Sequence, residues 1–210
     1  MSNYFPKRIS PDVTVGGCID IFENAWPNWQ QTINDIEKTI SDQDNMIHWE
    51  KATTLDYDPN NLQSARTNLH IGISGTYVQT GNEVFRQVNN QMYNLIWDTV
   101  VGYHERYGIG NKFWDEEGYN LLKYSGGQEY KCHFDGPTGR GRHLSVLLYL
   151  NDNFEGGELE FPFHKVKIKP QAGMLLLFPS NYAYAHIAHP VTQGTKYAIV
   201  TWLHDREIGQ

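Results

Sequence analysis

Apolar residues recur along this chain with two periods, and the change from one to the other falls near residue 112. Before it the period is helical. Trp29, Ile33, Ile36 and Ile40 share one face behind Pro27, a residue suited to the first turn of a helix. Val84, Val88, Met92, Leu95, Ile96, Val100 and Tyr103 mark a second stripe, which predicts a helix from about Asn82 to Tyr107 stopped by Gly108 and Gly110. Such a helix usually lies across the back of a sheet. Gly17 to Phe22 reads as a short strand, and Arg66 to Val78 as holding another. Between them Ser41 to Gln63 is polar, with Asp58-Pro59-Asn60-Asn61 as a turn. Residues 1–15 are polar with two prolines and read as a loose arm.

After Asn111 the period is two, with turn residues between the runs. Tyr119 to Tyr124, Glu129 to Asp135, Leu144 to Leu150, Glu158 to Phe161, Val166 to Lys169, Met174 to Phe178, Ala183 to His189 and Lys196 to His204 read as strands. Short strands at this spacing imply a sandwich or jelly roll. The expected architecture is mainly β with packed helices. It forms a single domain over 16–210, with helical support over 24–110 and a β core over 112–206.

Composition narrows the function classes. The net charge of -7 offers no general footprint for a nucleic-acid backbone. The two cysteines, Cys18 and Cys132, are too few for a disulfide framework. No apolar run approaches the roughly 20 residues of a bilayer span, and the first residues carry no apolar stretch of a secretory signal. A cytoplasmic protein without a membrane partner is the expectation.

The candidate chemistry centres on Tyr130-Lys131-Cys132-His133-Phe134-Asp135. On an extended strand His133 and Asp135 point to one face, where an imidazole and a carboxylate can grip a divalent metal from two corners. A second histidine would complete the two-His, one-carboxylate set of non-haem Fe(II) oxygenases, which leaves other positions of the metal open. His186 and His189 are both downstream candidates. Three residues apart, they point to opposite faces of a regular strand, so only one should reach the metal.

Four further elements follow in order: Tyr124-Ser125-Gly126-Gly127-Gln128-Glu129 before the His-x-Asp pair, then Leu144 to Asp152, Glu155-Gly156-Gly157-Glu158-Leu159-Glu160-Phe161-Pro162, and His186 to Lys196 with Trp202 beyond. This order resembles the 2-oxoglutarate- and Fe(II)-dependent oxygenases of the prolyl 4-hydroxylase type. The resemblance spans roughly Asp20 to His204 and is specific from Tyr124 onward. It implies a double-stranded β-helix, a cupin-like jelly roll, with helices on one sheet. It selects His186, four residues before the Pro-Val pair, and implies that His133, Asp135 and His186 hold the iron. It implies that Lys196 pairs with the far carboxylate of 2-oxoglutarate, that Tyr124 bonds the same cosubstrate and that Trp202 walls its pocket. Tyr130 and His204 match positions that face substrate.

Physical reasoning supports part of this. A buried dicarboxylate end needs a cation, and Lys196 offers one, with Ser145 as an additional hydroxyl donor. Lys196, Ala198, Val200, Trp202 and His204 share a strand face, and Tyr197, Ile199 and Leu203 take the other. Tyr130, three before His133, faces the iron only if the strand is bulged. The loop Gly136 to Arg142 is short and glycine-rich, with Arg140 and Arg142 as candidate substrate contacts. The expected activity is hydroxylation of an unactivated C–H, most naturally of a prolyl residue in a peptide or protein, using Fe(II), 2-oxoglutarate and O2, with ascorbate keeping the iron reduced as in relatives. The competing readings are the same cofactors acting on a free amino acid, another small molecule or a nucleic acid, and a non-catalytic jelly roll that binds a metal or 2-oxoacid. The acidic balance weighs against nucleic acid.

Overall fold

The computed structural model describes residues 6–42, 47–52, 65–74, 82–108, 114–136 and 141–205. Its elements run, in chain order, β1 (Val13–Val15), β2 (Ile19–Phe22), α1 (Trp29–Asp42), β3 (Glu50–Lys51), β4 (Leu69–Gly72), α2 (Glu83–Tyr107), β5 (Trp114–Glu116), β6 (Asn120–Ser125), β7 (Tyr130–His133), β8 (Arg142–Tyr149), β9 (Glu155–Gly156), β10 (Leu159–Phe161), β11 (Val166–Ile168), β12 (Leu175–Pro179), β13 (His186–Ala188), β14 (Val191–Gln193) and β15 (Thr195–Asp205). The turn expected at Asp58 to Asn61 and the stop expected at Gly110 lie outside the described residues.

Local chemistry explains the helix ends. Asn82 caps α2 by accepting a hydrogen bond from the Phe85 amide, and Gly108 closes it in the left-handed conformation, its N–H bonded to the His104 carbonyl. Phe85, Val88, Met92, Ile96, Val100 and Tyr103 form the buried face of α2.

The strands form two main antiparallel sheets. The larger runs β1-β2-β12-β8-β15-β6-β4-β3, with β5 also paired to β15; the smaller runs β11-β10-β13-β7, and β14 pairs with β9. One face of the larger sheet carries Leu121, Leu148, Leu175, Leu177, Ile199 and Leu203, which pack with Ile36 of α1 and the buried face of α2. The other face meets the smaller sheet: Ile19, Ile21, Tyr149, Leu176, Phe178 and Ala198 pack against Leu159, Phe161 and Ile168. Alternation along β15 therefore separates two cores, as its sequence predicts, with Ile199 and Leu203 toward the helices and Ala198 between the sheets.

Three expectations need correction. Residues 7–15 are not a loose arm. The amides of Lys7 and Ile9 bond to the side chain and the carbonyl of Asp98 in α2, and β1 pairs with β2. The run Ala183 to His189 is not one strand. Asn181 accepts from the Ala183 amide and winds Tyr182–Tyr184 into a 3-10 turn, leaving only β13 extended. The strand expected through Asp135 ends at His133.

Candidate metal centre

β7 and β13 lie side by side with His133 opposite His186. Their rings approach edge to face, with centroids 4.3 Å apart. Asp135 follows two residues beyond His133. Its Oδ1 lies 3.7 Å from His133 Nε2 and its Oδ2 3.9 Å from His186 Nε2. Ligand atoms of the three residues fall within 4.8 Å of one another, the one such three-residue group among the described residues.

Both imidazoles are oriented through their other nitrogen. His133 Nδ1 bonds to the Lys131 carbonyl at 2.8 Å, and His186 Nδ1 to the Tyr184 carbonyl at 3.1 Å. A carbonyl only accepts, so the proton sits on Nδ1 and the Nε2 lone pair faces the centre. Burial, and then the nearby His186, push His133 well below the usual histidine range, against the attraction of Asp135. Burial alone would raise Asp135. Electrostatic attraction to the His186 and His133 rings, with a hydrogen bond from Ser145, outweighs it and holds the carboxyl below its usual range. Neutral imidazoles and an ionised carboxylate are the forms that bind a metal.

Asp135 lies past the end of β7, so other elements must hold it. Ser145 on β8 donates to its Oδ2 at 2.6 Å. Arg142 Nη1 donates to its main-chain oxygen at 3.1 Å, while Arg142 makes a paired contact with Glu117 at 2.9 and 2.7 Å. The same guanidinium stacks 3.7 Å from the Trp202 ring. Trp202 helps keep Asp135 charged, yet its buried Nε1–H has no partner within hydrogen-bond geometry.

Lys196 fills the neighbouring pocket and is 2% exposed. Its ammonium donates to the Gly157 carbonyl at 2.9 Å and lies 4.4 Å from the Tyr124 ring centre, 5.9 Å from Tyr149 and 6.0 Å from Phe154. No salt bridge reaches it among the described residues. Burial pushes its pKa down to about 7, with Glu158 opposing weakly. Gly157 makes the carbonyl contact possible: φ is +68° there, and a Cβ would come within 2.9 Å of the Phe154 ring. Asn151, also buried, brackets the lysine by donating to the Thr195 carbonyl and accepting from the Tyr197 amide. Burial pushes the Tyr124 hydroxyl up to about 12, with Arg66 opposing and Tyr130 and Asp135 adding to the rise. Tyr124 thus lies between the lysine and the three-residue group.

The structure brings His133, Asp135, His186, Tyr124, Lys196 and Trp202 into one region. Tyr130 joins them through a bulge: four residues of β7, from Tyr130 to His133, oppose three of β13, from Ala188 to His186. Its ring stacks on His133 with centroids 3.4 Å apart. Ser145 is a correction. It pairs in register with Trp202, not with the Lys196 end of β15, and its hydroxyl serves Asp135. Arg142 is another. Its guanidinium is committed to Glu117, Asp135 and Trp202 and does not stand as a free substrate contact. His204, opposite Asp115 and Arg142, is 5% exposed, which places it inside the end of the sandwich and not on an open surface. Arg140 lies outside the described residues. His189 is turned away from the centre and bonds Glu160 at 2.7 Å.

Arg66 belongs to none of the sequence motifs. Its guanidinium sits 5.0 Å over the Tyr130 ring, and it bridges to the Tyr130 backbone. Tyr149, Phe154 and Asn151 were also missed. Only their place in the quoted Leu144 to Gly157 elements signalled them.

The comparisons agree with this geometry. Residues 119–204 match the family described as the 2OG-Fe(II) oxygenase superfamily. The chain is 34% identical over 120 residues to a probable prolyl 4-hydroxylase 9 of Arabidopsis thaliana, covering 43% of this chain and 42% of that protein. It is 27% identical over 157 residues to a putative prolyl 4-hydroxylase of Acanthamoeba polyphaga mimivirus, covering 64% and 63%. The chain thus spans about two fifths of the first of these relatives. Among solved structures it resembles a viral collagen prolyl hydroxylase from Paramecium Bursaria Chlorella virus-1 in its 2OG complex, with a TM-score of 0.65, 18% identity and 91% and 98% coverage. It also resembles a Trichoplax adhaerens prolyl hydroxylase in complex with a hypoxia inducible factor peptide fragment, with a TM-score of 0.65, 24% identity and 92% and 88% coverage. These neighbours carry the double-stranded β-helix, which is the fold of this chain.

Proposed function

We propose, from the match of residues 119–204 to the 2OG-Fe(II) oxygenase superfamily and the likeness to prolyl hydroxylases, that this chain is an oxygenase of that type and hydroxylates prolyl residues in a peptide or protein. The observation that carries the reading is the convergence of two Nε2 atoms and a carboxylate beside a buried lysine that makes no salt bridge among the described residues.

The donor set suits Fe(II), for which two imidazoles and one carboxylate leave positions open. His133, Asp135 and His186 would hold it. The carbonyls of Lys131 and Tyr184 fix the two rings before any metal arrives, so little ordering remains at binding. With iron, 2-oxoglutarate and O2 bound, the centre supplies an oxidant able to hydroxylate an unactivated C–H, with release of succinate and CO2. Lys196 would receive the far carboxylate of 2-oxoglutarate, since a buried ammonium without a counter-charge is costly and a dicarboxylate removes that cost. Tyr124 and Tyr149, both buried, bracket the lysine. Tyr130, stacked on His133 with Arg66 over its ring, stands at the side where substrate would approach. The likeness to proteins named prolyl 4-hydroxylases supports a proline-bearing peptide as partner. Ascorbate as reductant belongs to the same proposal, as does a reducing, cytoplasmic setting, which the two free thiols support.

The test supplies Fe(II), 2-oxoglutarate and proline-containing peptides in air. Succinate should form in step with a peptide mass gain of one oxygen atom, and His133→Ala should make neither. Succinate formation with a small molecule while every proline peptide stays unchanged would reject the prolyl reading.

A further inference from the structure

Asp135 stands where no regular element holds it, and two buried serines are aimed at it. Ser145, at 0% exposure, lies 2.6 Å from Asp135 Oδ2, and Ser180, at 1%, lies 2.8 Å from the Ser145 hydroxyl. A carboxylate can only accept, so the single proton of Ser145 goes to Asp135. The Ser145 oxygen is then left as acceptor, and Ser180 must be the donor to it. The chain therefore runs one way, from Ser180 through Ser145 to Asp135.

Ser180 is itself fixed. Its amide donates to the His143 carbonyl at 3.0 Å, and its carbonyl accepts from the Gly136 amide at 2.9 Å. Gly136 follows Asp135 directly and packs closely there: a Cβ would meet the Arg142 carbonyl at 3.2 Å and the Ser180 carbonyl at 3.4 Å. One residue thus grips both the backbone beyond Asp135 and, through Ser145, its side chain. Ser145 holds Oδ2, which lies 3.9 Å from His186 Nε2, and this sets the rotation that leaves Oδ1 3.7 Å from His133 Nε2.

We propose that Ser145 and Ser180 are positioning residues that fix the rotation of the Asp135 carboxylate, so that it is held toward the metal before the metal binds. This rests on the metal reading of His133, Asp135 and His186. Without the relay the carboxylate can rotate away from the two Nε2 atoms, and metal binding must then order it.

The test uses Co(II) alone, titrated into the 210-residue chain without oxygen and followed by calorimetry and visible absorption. Ser145→Ala should weaken Co(II) binding about 10- to 100-fold and alter the ligand-field spectrum. Ser180→Ala should do less in the same direction. The double variant should match Ser145→Ala, because Ser180 acts only through Ser145. Wild-type affinity and spectrum in Ser145→Ala would overturn the relay, as would losses in the two single variants that simply add. Should Ser145→Ala fail to fold, Ser180→Ala decides alone, and an unchanged affinity and spectrum there overturns the relay. A wild-type protein that binds no Co(II) would instead refute the metal reading beneath it.

Discussion

Lys196 is a cation placed where packing alone would favour an apolar side chain, and that makes it the sharpest single-residue test. Replacing it by Met removes a buried charge and leaves comparable volume. Lys196→Met should therefore raise the melting temperature of the ligand-free protein, yet weaken 2-oxoglutarate binding by about 3 kcal/mol, or roughly a hundredfold. Calorimetry reads both, and a variant that binds the cosubstrate normally would remove the lysine from the site. The pH dependence follows from the same burial. The folded-state pKa, pushed down to about 7, lies below the unfolded value of about 10.4. The unfolded chain thus holds more protons between them, and stability rises with pH across that window. The penalty is full below pH 7, so the advantage of Lys196→Met should be largest near pH 6 and shrink toward pH 10 in urea denaturation. Part of this scale was legible in the text: the His-x-Asp pair shows in its spacing, while His186, Lys196 and Tyr124 were picked out through the resemblance of the ordered motifs. Ser145 and Arg142 were misplaced because their partners, Asp135 and Glu117, are set by the register of β8 and by a loop. Neither leaves a periodic trace.

Among the elements, long patterns were readable and short ones were not. The 25-residue helix α2 was found to within a residue, because stripe, Asn82 cap and Gly108 stop agree. Asn82→Ala should cost about 1 kcal/mol in urea denaturation while leaving metal affinity unchanged, since the cap lies in the helical layer. A loss of metal binding in that variant would mean that α2 reports directly to the centre. β15 was likewise legible from its alternation. Strands of two or three residues such as β5, β9 and β14 hold too few positions to show a period. The 3-10 turn at Tyr182–Tyr184 depended on an Asn181 side chain bonding to the backbone, and its reward is a carbonyl aimed at His186.

On the scale of the molecule, a mainly β core with helices behind it followed from the change of period near residue 112. The order of strands did not. β8 lies between β12 and β15, pairings that join residues far apart in sequence, and hydrophobic pattern carries no record of partner choice. That arrangement puts one face of the large sheet against helices and the other against the smaller sheet, so the triad and the lysine share an interior. Because only the folded chain assembles this site, ligands must stabilise it. Fe(II) in anaerobic excess should raise the melting temperature, with about 2.7 kcal/mol expected at a hundredfold excess over its Kd. Adding 2-oxoglutarate should raise it again in the wild type but not in Lys196→Met, and a chelator should reverse both.

The most direct measurement is anaerobic equilibrium dialysis of Fe(II) and 2-oxoglutarate against the wild-type chain and against Asp135→Ala. One iron per chain, one 2-oxoglutarate that binds only when iron is present, and neither in Asp135→Ala is the predicted result. Iron bound equally well by Asp135→Ala, or 2-oxoglutarate held without any metal, would contradict a centre built from His133, Asp135 and His186.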